Sequence, residues 1–417
     1  MSSFEHEFET AVAQHKIPGA VLAATNKDGS FTYLRAFGVR SLKTNESLDV
    51  NHVMRIASCT KLMTSIAAMQ CVERGLVGLD DDLAPVMPDL AGLKVLHGFA
   101  EDGEPVLKER KNAITLRQLL THTAGLGYDE IPPLTKYRAK HPKVSNNPGG
   151  GATVPERFNS PLTFEPGTSW GYGTNTAWAG KLVERLTGST LEEYMSANIW
   201  KPLGCDSITF WPDSNEQVRS RLADVSMRTR DGGLKHYAGP LLTHGATDCL
   251  GGEGAYASMP DYLKILHSLL RDNEKLLKKE TAAQLFSPQL EGERKAALNK
   301  ALRVSMVATL PHRFTQSLDF GLGGAIMDED DVGRRRRGTM IWSGLPNLCW
   351  VGNCSASIPS PLFADSKLGY VLLRDIAEAL VTSGANVTCR SSLIAKAASA
   401  AYTEAKSFHQ VTRKRWI

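Results

Sequence analysis

The sequence predicts an α+β fold whose sheet is completed by both ends of the chain. Strand-like runs lie near the start (19–41) and in the last third (320–327 and 338–350), and helical patterns fill most of the chain between them. The composition, 42% hydrophobic and 22% charged over 417 residues, is that of a globular protein with room for a large core. No internal repeat is present.

The first half of the chain contains a hairpin, two helices and a long polar segment. The hairpin turn is predicted around Asn26–Gly29, between two runs of strand-forming residues. An apolar helix follows from Ser58 and closes near Gly75, and a short helix over 114–126 stops at Gly125. Residues 129–161 are rich in proline, glycine and asparagine, which is typical of a functional lid or of disorder.

Later helices carry recognisable start signals. An amphipathic helix is predicted over 174–188, ending at a glycine. Thr190 and Glu193 have the spacing of a capping box. Ser258 is placed as a cap, with Pro260 in the first turn of the helix that follows.

Composition argues against several functions. The formal net charge of +4 is too small to indicate nucleic-acid binding, and no stretch is apolar enough to span a membrane. The start of the chain lacks a secretory signal, and the seven scattered cysteines are typical of reduced thiols, so we expect a cytoplasmic protein. No metal spacing appears around His122, and the GGEG segment at 251–254 follows no βαβ pattern, so no metal or cofactor is expected.

Ser58 and Lys61 form a Ser-x-x-Lys pair at the start of the apolar helix. Positions i and i+3 share a helix face, so the lysine amine could reach the serine hydroxyl. A serine needs a base to become a nucleophile, and a lysine can act as one if burial lowers its pKa. The alternative interpretation is a capping serine followed by a lysine whose stem is buried.

Two later segments could complete such a site. Tyr172 lies in a glycine-rich loop before a helix, where its phenol could relay protons, or where the ring could simply anchor the loop. The strand 339–347 contains Ser343-Gly344 near its end, so the backbone N–H of Leu345 could join that of Ser58 in an oxyanion hole. The alternative is an ordinary strand-to-turn transition.

These motifs, in this order, resemble those of penicillin-recognising serine hydrolases. Four segments are similar to the class C β-lactamase-related family, especially its fungal acyltransferase branch. They are ITLRQLLTHTAGL, FEPGTSWGYGTN, WAGKLVERLTG and GGEGAYASMPDYLKILHSLL. The resemblance implies a β-lactamase/penicillin-binding-protein-like fold, an antiparallel sheet flanked by helices with a large helical insertion. It implies one catalytic domain over 1–417, with an α/β part at about 1–57 and 250–417 and a helical part at about 58–249.

The resemblance also implies roles. Ser58 matches the nucleophile, Lys61 its base and Tyr172 the proton relay, while the N–H groups of Ser58 and Leu345 match the oxyanion donors. Trp342, Ser343, Gly344 and Gly252 are expected to line the substrate cleft.

Three departures from the family pattern qualify these roles. Asn175 lies one position later than in the Tyr-x-Asn pattern, and Trp342 stands where a lysine often holds a β-lactam carboxylate. The tryptophan favours an apolar acyl or ring substrate. The sequence after Trp350 departs from the family ending, so 351–417 is an atypical C-terminus. If the sheet lacked its last strands, the oxyanion strand would lose its neighbour.

The sequence therefore predicts a serine acyl hydrolase or acyltransferase that acts on a small-molecule ester or thioester in fungal secondary metabolism. A plain carboxylesterase and an inactive product of a faulty C-terminus are the alternatives. Lys136, Arg138, Lys140 and Lys143 have no acidic residue between them, so they could dock an acidic acyl carrier protein or form a solvated loop.

Overall fold

The computed structural model describes residues 3–143, 150–229, 232–239, 241, 243–303, 316–331, 335–345, 348–353 and 368–374. Its strands are β1 Gly19–Asn26, β2 Thr32–Gly38, β3 Val53–Arg55, β4 Val95–Phe99, β5 Pro105–Lys108, β6 Ser226–Arg228, β7 Leu234–His236, β8 Tyr256–Ser258, β9 Leu318–Phe320, β10 Ala325–Met327, β11 Thr339–Gly344, β12 Leu348–Asn353 and β13 Leu368–Arg374.

The α-helices are α1 Ser3–Ala13, α2 Thr60–Glu73, α3 Pro88–Ala91, α4 Leu116–Leu120, α5 Leu134–Lys140, α6 Val154–Arg157, α7 Asn175–Thr187, α8 Leu191–Met195, α9 Glu216–Arg219, α10 Met259–Arg271, α11 Lys279–Leu285 and α12 Gly292–Arg303. Short 3₁₀ or π turns lie at Ala57–Cys59, Ser196–Trp200, Lys201–Leu203 and Pro212–Ser214. Within the described part of the chain, no helix is both long and apolar enough to cross a membrane.

The main sheet has seven strands in the order β2-β1-β13-β12-β11-β10-β9, and every neighbouring pair is antiparallel. Both ends of the chain contribute strands, as the sequence predicts. The β1–β2 hairpin pairs Gly19 with Gly38 across the predicted turn. Helix α10, whose start matches the expected serine and proline signals, packs against β1 and β13.

Helix α2 lies at the centre of the molecule and packs against α7. All twelve residues from Thr60 to Cys71 are buried. A helix that is buried on every side belongs to the core, which is why its sequence lacks a polar face. The residues just before α2, apart from half-buried Ser58, are buried as well.

Some predicted boundaries were wrong. Ser58 does not begin the helix; it lies in the turn Ala57–Cys59 and α2 starts at Thr60. Helix α4 ends at Leu120, well before Gly125, because His122 already takes a left-handed φ of 59°. The predicted polar segment 129–161 contains α5 and α6, and residues 144–149 lie outside the described part.

The capping box on α8 is confirmed, since the Thr190 hydroxyl accepts from the Glu193 N–H and the Glu193 carboxylate accepts from the Thr190 N–H. Ser258 is the N-cap residue of α10, but its side chain makes no cap hydrogen bond. Its hydroxyl instead pairs with that of Ser207, at 2.8 Å.

The predicted atypical ending, 351–417, falls mostly outside the described residues. Its described parts belong to β12 and β13. Strand β12 pairs with β11 along its whole length, and β13 fills the position between β12 and β1. The absence of the last strands, the condition under which strand β11 would lose its neighbour, is therefore not met in the described sheet.

Candidate active site

Ser58 lies on a strained turn at the start of the central helix. The preceding residue, Ala57, has a φ of 43°, a conformation that costs free energy for a residue with a Cβ. Ser58 is half-buried between buried neighbours. The turn therefore presents one hydroxyl at the edge of an otherwise closed core.

Several hydrogen bonds fix this turn. The Thr60 hydroxyl donates to the Ala57 carbonyl at 2.6 Å and accepts from the Ala255 N–H at 3.1 Å. The Tyr262 hydroxyl donates to the Cys59 carbonyl at 2.8 Å. The strain at Ala57 is thus held by contacts from the 250–262 region.

Lys61 is 4% exposed and its amine lies close to Ser58. The Lys61 Nζ is 3.3 Å from the Ser58 Oγ, 2.7 Å from the Gly252 carbonyl oxygen and 3.4 Å from the Tyr128 hydroxyl. The predicted Ser–Lys contact is therefore present. Gly252 takes part through its backbone oxygen.

Tyr172 reaches the same serine from the loop before α7. Its hydroxyl is 2.8 Å from the Ser58 Oγ, and the Lys61 Nζ lies 4.8 Å from the centre of its ring. Ser58, Lys61 and Tyr172 are 114 positions apart at most, so only the fold brings them together.

Backbone contact with a neighbouring loop fixes the position of Tyr172. A Cβ on Gly173 would lie 1.9 Å from the Leu126 carbonyl oxygen, so only glycine allows this approach. The same oxygen accepts from the Asn175 amide at 2.9 Å. Asn175, displaced by one position from the family pattern, is 0% exposed and holds the loop rather than lining the site.

Gly344 packs directly on the Ser58 turn. A Cβ at Gly344 would lie 2.5 Å from the Ile56 carbonyl oxygen and 3.1 Å from the Ser58 nitrogen. Leu345 follows immediately and is 36% exposed. This close approach is what an oxyanion hole built from the Ser58 and Leu345 N–H groups requires; that role of Leu345 stays a prediction.

Trp342 and Ser343 are buried in the same strand, at 1% and 0% exposure. The Trp342 ring contacts the Tyr172 ring, with centroids 5.1 Å apart, and lies among His122 and Phe320. The Trp342 indole therefore packs against the Tyr172 ring and helps to hold its position. Direct contact of Trp342, Ser343 or Gly252 with a substrate stays a prediction.

His122 belongs to this aromatic cluster, although the sequence suggested only a hydrogen-bonding residue at a helix end. Its ring is 1% exposed and 4.8 Å from that of Tyr172, and its Nδ1 has no hydrogen-bond partner among the described residues. Burial holds the pKa of His122 well below its ordinary value. The ring is therefore neutral and packs as an aromatic.

Sequence reasoning missed two polar residues beside Lys61. Tyr128 lies within reach of the Lys61 amine, and its hydroxyl donates to the Glu253 carboxylate at 3.1 Å. Glu253 is 7% exposed. The signal was present in the glycine-rich segment 251–254, where a glutamate between glycines has no helical or strand role.

The arrangement can carry out nucleophilic acyl chemistry. One hydroxyl is within hydrogen-bond reach of two proton-accepting groups, and backbone N–H groups lie beside it. Among the residues that the structure describes, no cluster of three or more His, Cys, Asp or Glu side chains could hold a metal ion.

A helical region beside an antiparallel sheet, with a serine at the start of the central helix, defines a serine-hydrolase fold of the penicillin-recognising type. The chain matches the Beta-lactamase family over residues 4–343 and belongs to it.

Several relatives are acyl-transfer enzymes or esterases. The chain is 39% identical over 357 residues to the monacolin J acid methylbutanoyltransferase of Aspergillus terreus, covering 83% of this chain and 86% of that protein. It is 37% identical over 384 residues to the lovastatin esterase of Penicillium rubens, covering 86% and 94%. Unliganded simvastatin synthase from Aspergillus terreus superposes with a TM-score of 0.85 at 34% identity, covering 96% of this chain and 97% of that one. The predicted family and fold class are confirmed.

Substitution of Gly344 tests the packing of β11 on the Ser58 turn. We expect Gly344→Ala to reduce acyl turnover by on the order of 10²-fold, the scale of losing one oxyanion donor, because the added methyl displaces the strand. The measurement is steady-state turnover of an aryl ester together with thermal unfolding. Gly92→Ala is the matched control, since a Cβ there meets nothing within 4 Å. Wild-type turnover by Gly344→Ala would contradict the requirement for this close approach.

Buried His122 should make the protein less stable in acid. Unfolding restores its ordinary pKa of about 6.5, so the unfolded chain binds a proton that the folded chain rejects, and stability falls as pH drops below about 6.5. Between pH 7.5 and 5.5, this one group accounts for a loss on the order of 1 kcal/mol. His122→Asn, which tolerates the left-handed backbone, should lose less stability than wild type by that amount.

Urea unfolding at the two pH values measures this difference. The control is His97→Asn, at an exposed position. If wild type and His122→Asn lose the same stability on acidification, the ring is not held neutral by burial.

Proposed function

We propose that the protein is a serine acyltransferase or acyl hydrolase that forms an acyl intermediate on Ser58 from a small-molecule ester or thioester. The observation that carries the proposal is the position of the Ser58 Oγ within hydrogen-bond reach of both Lys61 and Tyr172. The family membership and the named acyltransferase and esterase relatives support it. The fungal relatives support a place in secondary metabolism.

The first half-reaction transfers the acyl group to the enzyme. The Ser58 oxygen attacks the carbonyl carbon of the donor while its proton passes to the Lys61–Tyr172 pair. The carbonyl oxygen gains negative charge, which the N–H groups of Ser58 and Leu345 would stabilise. The bond from carbon to the alcohol oxygen or thiol sulfur then breaks, and the leaving group takes the proton.

The second half-reaction returns the serine. An alcohol acceptor, or water, gives its proton to the same pair, attacks the acyl carbon and releases Ser58 with its proton restored. Transfer and hydrolysis differ only in this acceptor. The carboxylesterase alternative therefore uses the same residues, and the relatives include enzymes of both kinds.

The described sheet argues against the alternative that the protein is an inactive product of a faulty C-terminus. Strand β11, which precedes Leu345, has neighbours on both sides, β10 and β12. We also propose a cytoplasmic location, which is supported by five buried cysteines that are free thiols in the described part of the chain, Cys59, Cys71, Cys205, Cys249 and Cys349.

An acyl carrier protein as donor is a further hypothesis, and the structure changes its basis. Most of the basic segment is neutralised internally: Arg138 and Lys143 pair with Asp129, and Lys140 pairs with Glu104. The net positive charge that the folded segment presents is therefore smaller than its sequence suggests. Lys136 is exposed, and its amine lies over the Phe99 ring at 4.1 Å.

The segment nevertheless adjoins the site. A Cβ on Gly127, next to Tyr128, would meet the Leu134 side chain at 3.0 Å, so α5 begins against the loop that carries Tyr128. A carrier that docks here would meet Lys136 as an exposed cation for which no ion pair is recorded in the described structure.

Intact mass after mixing with a panel of acyl thioesters tests the nucleophile. Wild type should gain the mass of one acyl group, and Ser58→Ala should gain none while keeping its fold. Lys61→Met and Tyr172→Phe should each slow acylation by on the order of 10²-fold or more. Because both groups handle the same proton, the double variant should be little slower than the slower single variant.

Two results would count against these roles. An acyl adduct on Ser58→Ala would move the nucleophile elsewhere. Fully additive losses in the double variant would mean that Lys61 and Tyr172 act separately.

Lys136→Glu tests the carrier hypothesis without breaking an internal ion pair. We expect slower transfer from a carrier-bound acyl group, and a matching loss when salt is raised, because an exposed charge acts through screened long-range attraction. Transfer from a small free thioester should change much less. Lys43→Glu, at another exposed lysine, is the control. Equal use of both donors by Lys136→Glu would exclude this helix as the docking site.

A further inference from the structure

Glu253 is a buried carboxylate placed behind the lysine of the site. It is 7% exposed and accepts from the Tyr128 hydroxyl at 3.1 Å, and that hydroxyl lies 3.4 Å from the Lys61 Nζ. The three groups thus form a chain, Lys61 to Tyr128 to Glu253, that leads away from Ser58. Neither Tyr128 nor Glu253 takes part in the acyl-transfer steps proposed above.

The number of hydrogen bonds available to Lys61 limits its orientation. A neutral amine has two N–H donors and one lone pair, whereas an ammonium has three donors. Three oxygens surround the Nζ, those of Gly252, Tyr128 and Ser58. If Gly252 and Tyr128 accept the two N–H groups, the lone pair of the neutral amine is left facing Ser58, where it can receive the proton.

This arrangement requires the Tyr128 oxygen to accept rather than donate toward Lys61. A phenol hydroxyl can do either, and its own hydrogen decides which. A carboxylate has no hydrogen to give, so Glu253 can only accept, and the Tyr128 hydrogen must point to it. The Tyr128 lone pairs then face Lys61.

The surroundings keep this direction fixed. Burial, and next the Glu253 charge, hold the pKa of Tyr128 well above its ordinary value, so its hydrogen stays in place. The Arg157 guanidinium is 2% exposed, and Glu253 opposes the lowering of the Arg157 pKa by burial.

We propose that Glu253 is a positioning residue. By fixing the direction of the Tyr128 hydroxyl, Glu253 orients the Lys61 amine so that the lone pair of the amine faces Ser58. The inference rests on the proposed function, since it gives Lys61 a task only if Ser58 is acylated. It assigns roles to two residues on different loops, Tyr128 and Glu253.

Glu253→Gln tests the direction of the hydrogen bond with almost no change of shape. A glutamine can donate as well as accept, so Tyr128 would no longer be held as an acceptor. We expect the rate of Ser58 acylation, followed by intact mass with an acyl thioester, to fall on the order of 10-fold or more, part of the general-base contribution. The KM should stay within about 3-fold, because no substrate contact is removed.

Tyr128→Phe removes the middle of the chain and should slow acylation by a similar factor. The double variant should be no slower than the slower single variant, because both changes break the same connection. Glu192→Gln is the matched control: its half-buried carboxylate accepts from the Thr209 hydroxyl and the Phe210 N–H, and it makes the same change of charge away from Lys61. Thermal unfolding of each variant monitors the fold.

The outcomes separate the inference from the proposed function. Absence of an acyl-Ser58 adduct in wild type would overturn both. A wild-type adduct with an unchanged rate in Glu253→Gln would overturn the inference alone, as would an equal loss in Glu192→Gln or additive losses with Tyr128→Phe. Should Glu253→Gln fail to fold, Tyr128→Phe decides: a wild-type rate overturns the inference, and a slow rate with unchanged KM supports it.

Discussion

The amine of Lys61, buried to 4% exposure, is the group around which the other parts of the site are arranged. A buried amine requires partners, because an unsatisfied polar group in the core costs on the order of 1–3 kcal/mol, more if charged. The partners come from three regions: the Gly252 carbonyl, the Ser58 hydroxyl and the Tyr128 hydroxyl. Satisfying the lysine therefore also brings these regions together beside the serine.

Glycines allow the close approaches that this arrangement needs. Gly173 and Gly344 contact backbone oxygens so closely that no Cβ could be accommodated. Gly251, whose carbonyl accepts from the Thr64 hydroxyl at 2.7 Å, ties the 251–254 loop to the central helix. Each contact joins a loop or the end of β11 to the region of α2 or to a neighbouring loop of the site, so the positions of Tyr172 and Leu345 depend on backbone packing as much as on side chains.

A cluster of aromatic side chains supports the site by packing against Tyr172. The rings of His122, Trp342 and Phe320 pack against one another. Those of His122 and Trp342 also contact the Tyr172 ring. Ring packing of this kind stabilises by about 0.5–1.5 kcal/mol per pair beyond area burial. The cluster holds the Tyr172 ring while its hydroxyl reaches Ser58, and it explains why a histidine at this position can be buried without a metal or a charge partner in the described structure.

The sequence by itself determined the family, the fold class and the Ser58–Lys61 pair, because these depend on local spacing and on motifs of several consecutive residues. It also predicted the α8 capping box and the sheet built from both chain ends. It misplaced the start of α2 and the end of α4, since the turn at Ala57 and the left-handed His122 are imposed by tertiary contacts that override local preference. Only the tertiary structure decided the Tyr128–Glu253 connection, the internal neutralisation of the basic segment and the placing of Trp342 behind Tyr172. These contacts join residues as much as 170 positions apart or, as with Asp129 and Arg138, pair charges through the path of the chain in space, and no local pattern encodes such proximity.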